Sequence, residues 1–153
     1  MSSDTTELRI TRVIHAPRAV VWSAWADREQ LARWWIPAPL SCRVSTLALQ
    51  PGGGFETQMS ENGEDFTPHV AGCFLEVIPA EKIVFTTVLT EGWKPNAPWL
   101  PITAIITLED HGEHTLYSAR VLHKDAEDCR KHFELGFEEG WGTALAQLDH
   151  LFA

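Results

Sequence analysis

Residues 125–152 read DAEDCRKHFELGFEEGWGTALAQLDHLF, and their spacing decides the architecture. Cys129, Phe133, Phe137, Trp141, Ala144, Leu145, Leu148 and Phe152 recur at steps of three and four residues, which places them on one face of a helix. Glu127, Asp128, Arg130, Lys131, Glu134, Glu138, Glu139 and Asp149 fall mostly on the other face. As one continuous helix the stretch would be about 42 Å long, enough to cross a small domain. Gly136, Gly140 and Gly142 interrupt it, and each interior glycine costs about 1 kcal/mol relative to alanine. Three causes are open. Glycine can permit close packing on a sheet, or it can mark a kink between two shorter helices. It can also leave room between helix and sheet, with Phe133, Phe137 and Trp141 lining that room.

Upstream, residues 8–14 alternate as a strand, with Leu8, Ile10 and Ile14 in one phase. Arg12 shares that phase, either to pair with a carboxylate at the sheet's end or to hold an anionic group in a cavity. Ala16-Pro17 opens a helix, because proline suits the first helical position, and Val20, Val21, Ala24 and Trp25 form its apolar face. A second short helix follows. Asp27 caps it, and Gln30 stands where a capping-box partner belongs. Leu31, Trp34 and Trp35 are its apolar residues, and Pro37 and Pro39 end it.

From there to Lys124 the pattern is of antiparallel strands over 42–49, 55–59, 69–78, 83–89, 102–108 and 115–123. Turn signals separate them, notably Pro51-Gly52-Gly53-Gly54 and Asn62-Gly63. The expectation is a meander, curved around the final helix so that its open edges are managed. Residues 92–101 form the one long irregular stretch. They carry Trp93 and Trp99, which either fold back on the body or cover a cavity mouth.

The 153 residues suit a single domain spanning 1–153, and 44% hydrophobic content can fill a core. A net charge of −9 argues against nucleic acid and anionic membrane surfaces as partners. Within 125–153, seven acidic side chains face only Arg130 and Lys131, giving either a solvated face or a surface for a basic protein. Cys42, Cys73 and Cys129 make no C-x-x-C. Neither an apolar signal core nor a membrane-length apolar run is present. A cytoplasmic protein with reduced thiols is expected. No H-E-x-x-H, G-x-S-x-G or P-loop occurs. His111 and His114 sit in a hairpin turn, so no metal, cofactor or catalytic residue is assigned. Glu56, His69, Glu76, His123 and His132 are the candidates for proton transfer.

Strand, two short helices, strand meander and long terminal helix together resemble the α+β helix-grip fold of the START-like (SRPBCC) superfamily. The local motifs are similar to those of the activator of heat-shock-protein-90 ATPase homologue-like family. They are Val21-Trp22-x-Ala24-Trp25, Leu31-Ala32-Arg33-Trp34-Trp35, Pro51-Gly52-Gly53-Gly54-Phe55, Gly72-x-Phe74-Leu75-Glu76-Val77-Ile78-Pro79 and Gly140-Trp141. The resemblance implies a cavity between sheet and terminal helix that takes a hydrophobic or amphipathic small molecule. Its expected lining is Trp35, Phe55, Met59, Phe85, Phe133, Phe137 and Trp141, with Trp93 or Trp99 at the mouth. Arg12, His69 and His132 are its expected polar residues. Two alternatives stay open. One is a cyclase- or hydrolase-type enzyme in which His69, Glu56 or His132 is the base and Arg12 stabilises an anion. The other is a chaperone-binding regulator in a stress response. A homodimer is compatible with each.

Overall fold

β1 (Glu7–Ile14) buries Leu8 and Ile14, as its alternation requires. The computed structural model describes residues 5–152; residues 1–4 of the polar opening stretch lie outside these. α1 (Arg18–Ala26) follows Pro17 directly and buries Val21, Ala24 and Trp25. The Asp27 carboxylate then accepts from the backbone N–H groups of Glu29 and Gln30 at 2.9 and 3.1 Å. Satisfying those donors starts a separate helix, α2 (Arg28–Leu31).

The sheet comprises β1, β2 (Ser41–Leu47), β3 (Gly54–Ser60), β4 (Thr67–Ile78), β5 (Lys82–Thr86), β8 (Thr103–His111) and β9 (His114–Leu122). Its order is β1-β9-β8-β5-β4-β3-β2, antiparallel throughout. A small hairpin, β6 (Leu89–Thr90) with β7 (Lys94–Pro95), stands apart. From β2 onward the main strands neighbour one another in succession, so the expected meander holds there. β1 departs from it by pairing with the last strand, and α1 and α2 carry the chain from that edge to the opposite one. Register shifts at Val44/Thr46, Thr57/Gln58 and Phe74/Glu76 supply the bulges that bend the sheet.

The expected single rod over 125–152 is corrected at its centre. It is two helices, α3 (Ala126–Glu134) and α4 (Phe137–His150). Gly136 has φ of 97°, a left-handed value that a helix interior cannot accommodate. The glycine therefore breaks the helix. α3 begins where the Asp125 carboxylate accepts from the Asp128 N–H at 2.8 Å.

Two side chains of α4 tie it to the body. The Asp149 carboxylate accepts from the His15 backbone N–H at 2.8 Å, the His15 ring Nδ1 at 2.9 Å and Arg12 Nη2 at 3.2 Å. Gln147 Nε2 donates to the carbonyls of Trp34 and Ile36 at 3.0 Å, and its Oε1 accepts from the Ala38 N–H at 2.7 Å. Between sheet and helices lies an aromatic core of Trp25, Trp34, Phe55, Phe74, Phe85 and Tyr117. Among the described residues no helix is long and apolar enough to cross a membrane.

Candidate functional site

The core does not fill the space under the terminal helices. A cavity of about 650 Å³ remains between α3–α4, the sheet and the turn that follows α2. Trp35 and Pro37 come from that turn, His69 and Ala71 from β4, Phe85 from β5, and Phe137, Trp141 and Leu145 from α4. The aromatic wall is continuous: Trp35 stands 6.0 Å from Phe85 and 6.1 Å from Trp141, and Phe137 stands 5.4 Å from Trp141.

The glycines of α4 explain the space. A Cβ on Gly140 would meet nothing within 4 Å, and one on Gly142 would meet only Ile10 Cδ1 at 3.6 Å. Close packing on the sheet is therefore not what either position requires. Gly136 and Gly140 both line the cavity, and any larger side chain at Gly140 would project into open room. At the mouth, Trp99 is 70% exposed and Leu135 is 58% exposed. Lys131 Nζ lies 4.0 Å over the Trp99 ring and donates to the Trp99 carbonyl at 3.4 Å, tethering the mouth segment to α3.

Among the described residues no lysine, arginine, aspartate or glutamate lines the cavity. Its titratable groups are His69, Tyr117 and His132. The Tyr117 hydroxyl accepts from Trp25 Nε1 at 3.0 Å, and burial pushes its pKa far above the ordinary value. His69 Nδ1 is 3.0 Å from the Thr57 hydroxyl. The residue is exposed, yet enough protein surrounds its ring that desolvation lowers its pKa. His132 Nδ1 is 2.9 Å from His123 Nε2; burial, and then the neighbouring His123, push its pKa down to about 4. Uncharged groups thus face the cavity at neutral pH. The Trp35 indole N–H is buried without a hydrogen-bond partner.

Of the residues expected to line the cavity, Trp35, Phe85, Phe137 and Trp141 do so, with Trp99 at the mouth and His69 and His132 as polar members. Five do not. Phe55 is wholly buried one layer behind, stacked on Phe74 at 5.1 Å and edge-on to Phe85 at 5.0 Å. Met59 pairs with Cys42 and Thr67 past the bulge at Thr57/Gln58, where the alternation of β3 against β4 is shifted. Phe133 is 41% exposed, because α3 turns its His132 face to the cavity and ends two residues later. Trp93 lies over the Gly52 turn, where an added Cβ would come within 2.9 Å of its indole. Arg12 binds Asp149, so it clamps strand to helix.

Of the alternative bases, His69 and His132 line the cavity, whereas Glu56 and the anion-holding Arg12 do not. Glu56 is exposed on β3 and accepts from the Thr46 hydroxyl at 3.0 Å. His111 and His114 are opposite one another at the hairpin end, and no metal-holding group of three occurs among the described residues. Cys73 and Cys129 are buried, and burial raises the Cys42 thiol to about 11. The spacing arguments missed Tyr117, Asn96 and Leu135. Tyr117 shares the inward phase of Thr115, Ala119 and Val121, a signal that was readable. Asn96 is placed by long-range bonds, donating from Nδ2 to the Thr87 carbonyl at 2.9 Å.

The family model described as "Activator of Hsp90 ATPase homolog 1-like protein" matches residues 15–153. Protein NE0264 from Nitrosomonas europaea is 35% identical with a TM-score of 0.86, over 95% of this chain and 93% of that one. Protein Ms6760 from Mycobacterium smegmatis is 25% identical with a TM-score of 0.82, over 99% of this chain and 93% of that one. A protein from Arthrobacter aurescens shares the fold at 23% identity and a TM-score of 0.82, over 97% of this chain and 87% of that one. No curated protein matches. The architecture and the family fit a ligand-binding fold.

Proposed function

The chain belongs to the activator of Hsp90 ATPase homolog 1-like family, and from that premise we propose that it binds an uncharged, apolar or amphipathic small molecule between its sheet and its terminal helices. One observation carries the reading: a cavity of about 650 Å³ with aromatic walls and, among the described residues, no lysine, arginine, aspartate or glutamate in its lining. That size lies within the roughly 300–1,000 Å³ usual for small-molecule sites. Aromatic faces favour ring systems through stacked and edge-on contacts. A carboxylate or ammonium taken inside would lose its hydration without an opposite charge to replace it.

The test is a titration with neutral lipids, polyketides and flavonoids, followed by tryptophan emission and by native mass spectrometry of freshly purified protein. Trp35 and Trp141 line the cavity, so an occupant should quench or shift emission saturably. Gly140→Phe, which projects a ring into the space, should abolish the change. If no compound alters emission and no small molecule co-purifies, the reading is wrong.

A further inference from the structure

The polar members of the cavity are wired, and the wiring fixes which of them offers what to an occupant. His123 is buried after β9, and its ring Nδ1 stands 3.0 Å from the Thr6 carbonyl. A carbonyl only accepts, so Nδ1 of His123 carries the proton. In the uncharged ring the other nitrogen, Nε2, is then a bare acceptor. It lies 2.9 Å from Nδ1 of His132, which must therefore be the donor. Each assignment forces the next. The chain ends on Nε2 of His132, the nitrogen opposite the one bonded to His123, on a ring that lines the cavity.

We infer that Nε2 of His132 is the polar anchor of the cavity, a hydrogen-bond acceptor that selects an uncharged ring compound carrying a hydroxyl donor. This deepens the proposed function and rests on it. Two features support the inference. The ring is held edge-on to Phe137 at 5.2 Å and to His123 at 5.1 Å, so the acceptor is preorganised. The lining also offers no cation for an acidic group. A phenol or alcohol would give its O–H to Nε2 and lay its apolar body against Trp35, Phe85 and Trp141. The corresponding ether would leave the acceptor buried and unsatisfied, and a carboxylate would set negative charge against a lone pair. His123 is a positioning residue: it touches no occupant and acts by setting the tautomer of His132.

The experiment uses three probes of one skeleton, para-hydroxystilbene, para-methoxystilbene and stilbene para-carboxylate, at about pH 8, where imidazoles are uncharged. Wild type should bind the phenol about tenfold tighter than the ether and bind the carboxylate most weakly. His132→Phe keeps an aromatic ring there. It should erase the difference between phenol and ether, by weakening the phenol and strengthening the ether, and retained binding of the ether shows that the cavity is intact. Long-range proton–nitrogen NMR on wild type reads the wiring independently: His132 Nε2 should be bare and Nδ1 protonated. Equal binding of phenol and ether by wild type, or a protonated Nε2, overturns the inference while the proposed function stands. Failure of all three probes to bind also overturns the inference, whereas the proposed function falls only if the wider titration and the search for a co-purified molecule fail as well. If His132→Phe does not fold, the wild-type ratio and the NMR tautomer still decide the matter.

Discussion

Trp25 of α1 and Trp141 of α4 are the same residue type and both pack against Trp35, yet the structure assigns them different energetic roles. Trp25 is fully buried, donates to Tyr117 and touches Trp34, Trp35 and Phe55. Trp25→Ala should therefore cost about 3–5 kcal/mol in urea unfolding, the usual range for removing a core aromatic. Trp141 is only half-buried and borders open space. Its truncation enlarges an existing cavity and should cost about 1–2 kcal/mol. Equal costs would mean that the space beside Trp141 is filled in solution. Gln147 is a second case. Its amide satisfies three backbone groups of the turn that presents Trp35. Gln147→Ala should cost about 1–2 kcal/mol, because two part-buried carbonyls and one exposed N–H lose their partner. It should also weaken ligand binding by loosening Trp35. Gln147 gave no signal in the sequence, since a single polar residue beside Leu148 is indistinguishable there from a solvated one.

At the scale of the element, the three glycines of the terminal stretch separate into different jobs. Gly140→Ala adds a methyl group that meets nothing within 4 Å. It should stabilise the protein by about 0.5–1 kcal/mol through helix propensity. Gly136→Ala places a side chain on a residue with φ of 97° and should cost about 1–2 kcal/mol. Opposite signs from the same substitution four residues apart can be read in parallel thermal melts. The periodicity of the stretch was legible, as was the cost of its glycines, but the site of the break was not. A sign of φ depends on how the two helices dock, which no local pattern encodes. The same break explains why His132, rather than Phe133, faces the cavity. Capping was more transparent: Asp27 with its two N–H partners was readable from four consecutive residues, because the interaction is local. The pairing of β1 with β9 was not, since it closes a sheet across more than a hundred residues of chain.

At the scale of the whole molecule, the buried titrating groups make stability fall with acidity in two windows. His132 has its pKa lowered to about 4 by burial and by His123, below the ordinary imidazole value of about 6.5. Between those values the unfolded chain binds the proton that the native ring refuses. Stability therefore declines as pH drops from about 6.5 to about 4 and levels off below that. His69, also lowered by desolvation, contributes with the same sign as pH falls below about 6.5, less strongly because the residue is exposed. Asp149 acts lower. Burial raises its pKa, but hydrogen bonds from the His15 N–H and ring and from Arg12 outweigh this and hold it below the ordinary value. Its contribution is complete above about pH 4 and is lost as pH falls through the native value. The net charge of −9 falls to zero near pH 5.1 and turns positive below it, so self-repulsion first eases and then returns, and the wild-type curve alone mixes the effects. The difference between wild type and His132→Phe isolates the ring. The variant should lose less stability between about pH 6.5 and 4, by on the order of 1–2 kcal/mol after discounting for the ring's contact with cavity water. Asp149→Asn should instead flatten the curve only below about pH 4. Urea midpoints across this range measure both, and parallel curves for wild type and His132→Phe would mean that the His132 ring is as well solvated in the fold as in the open chain.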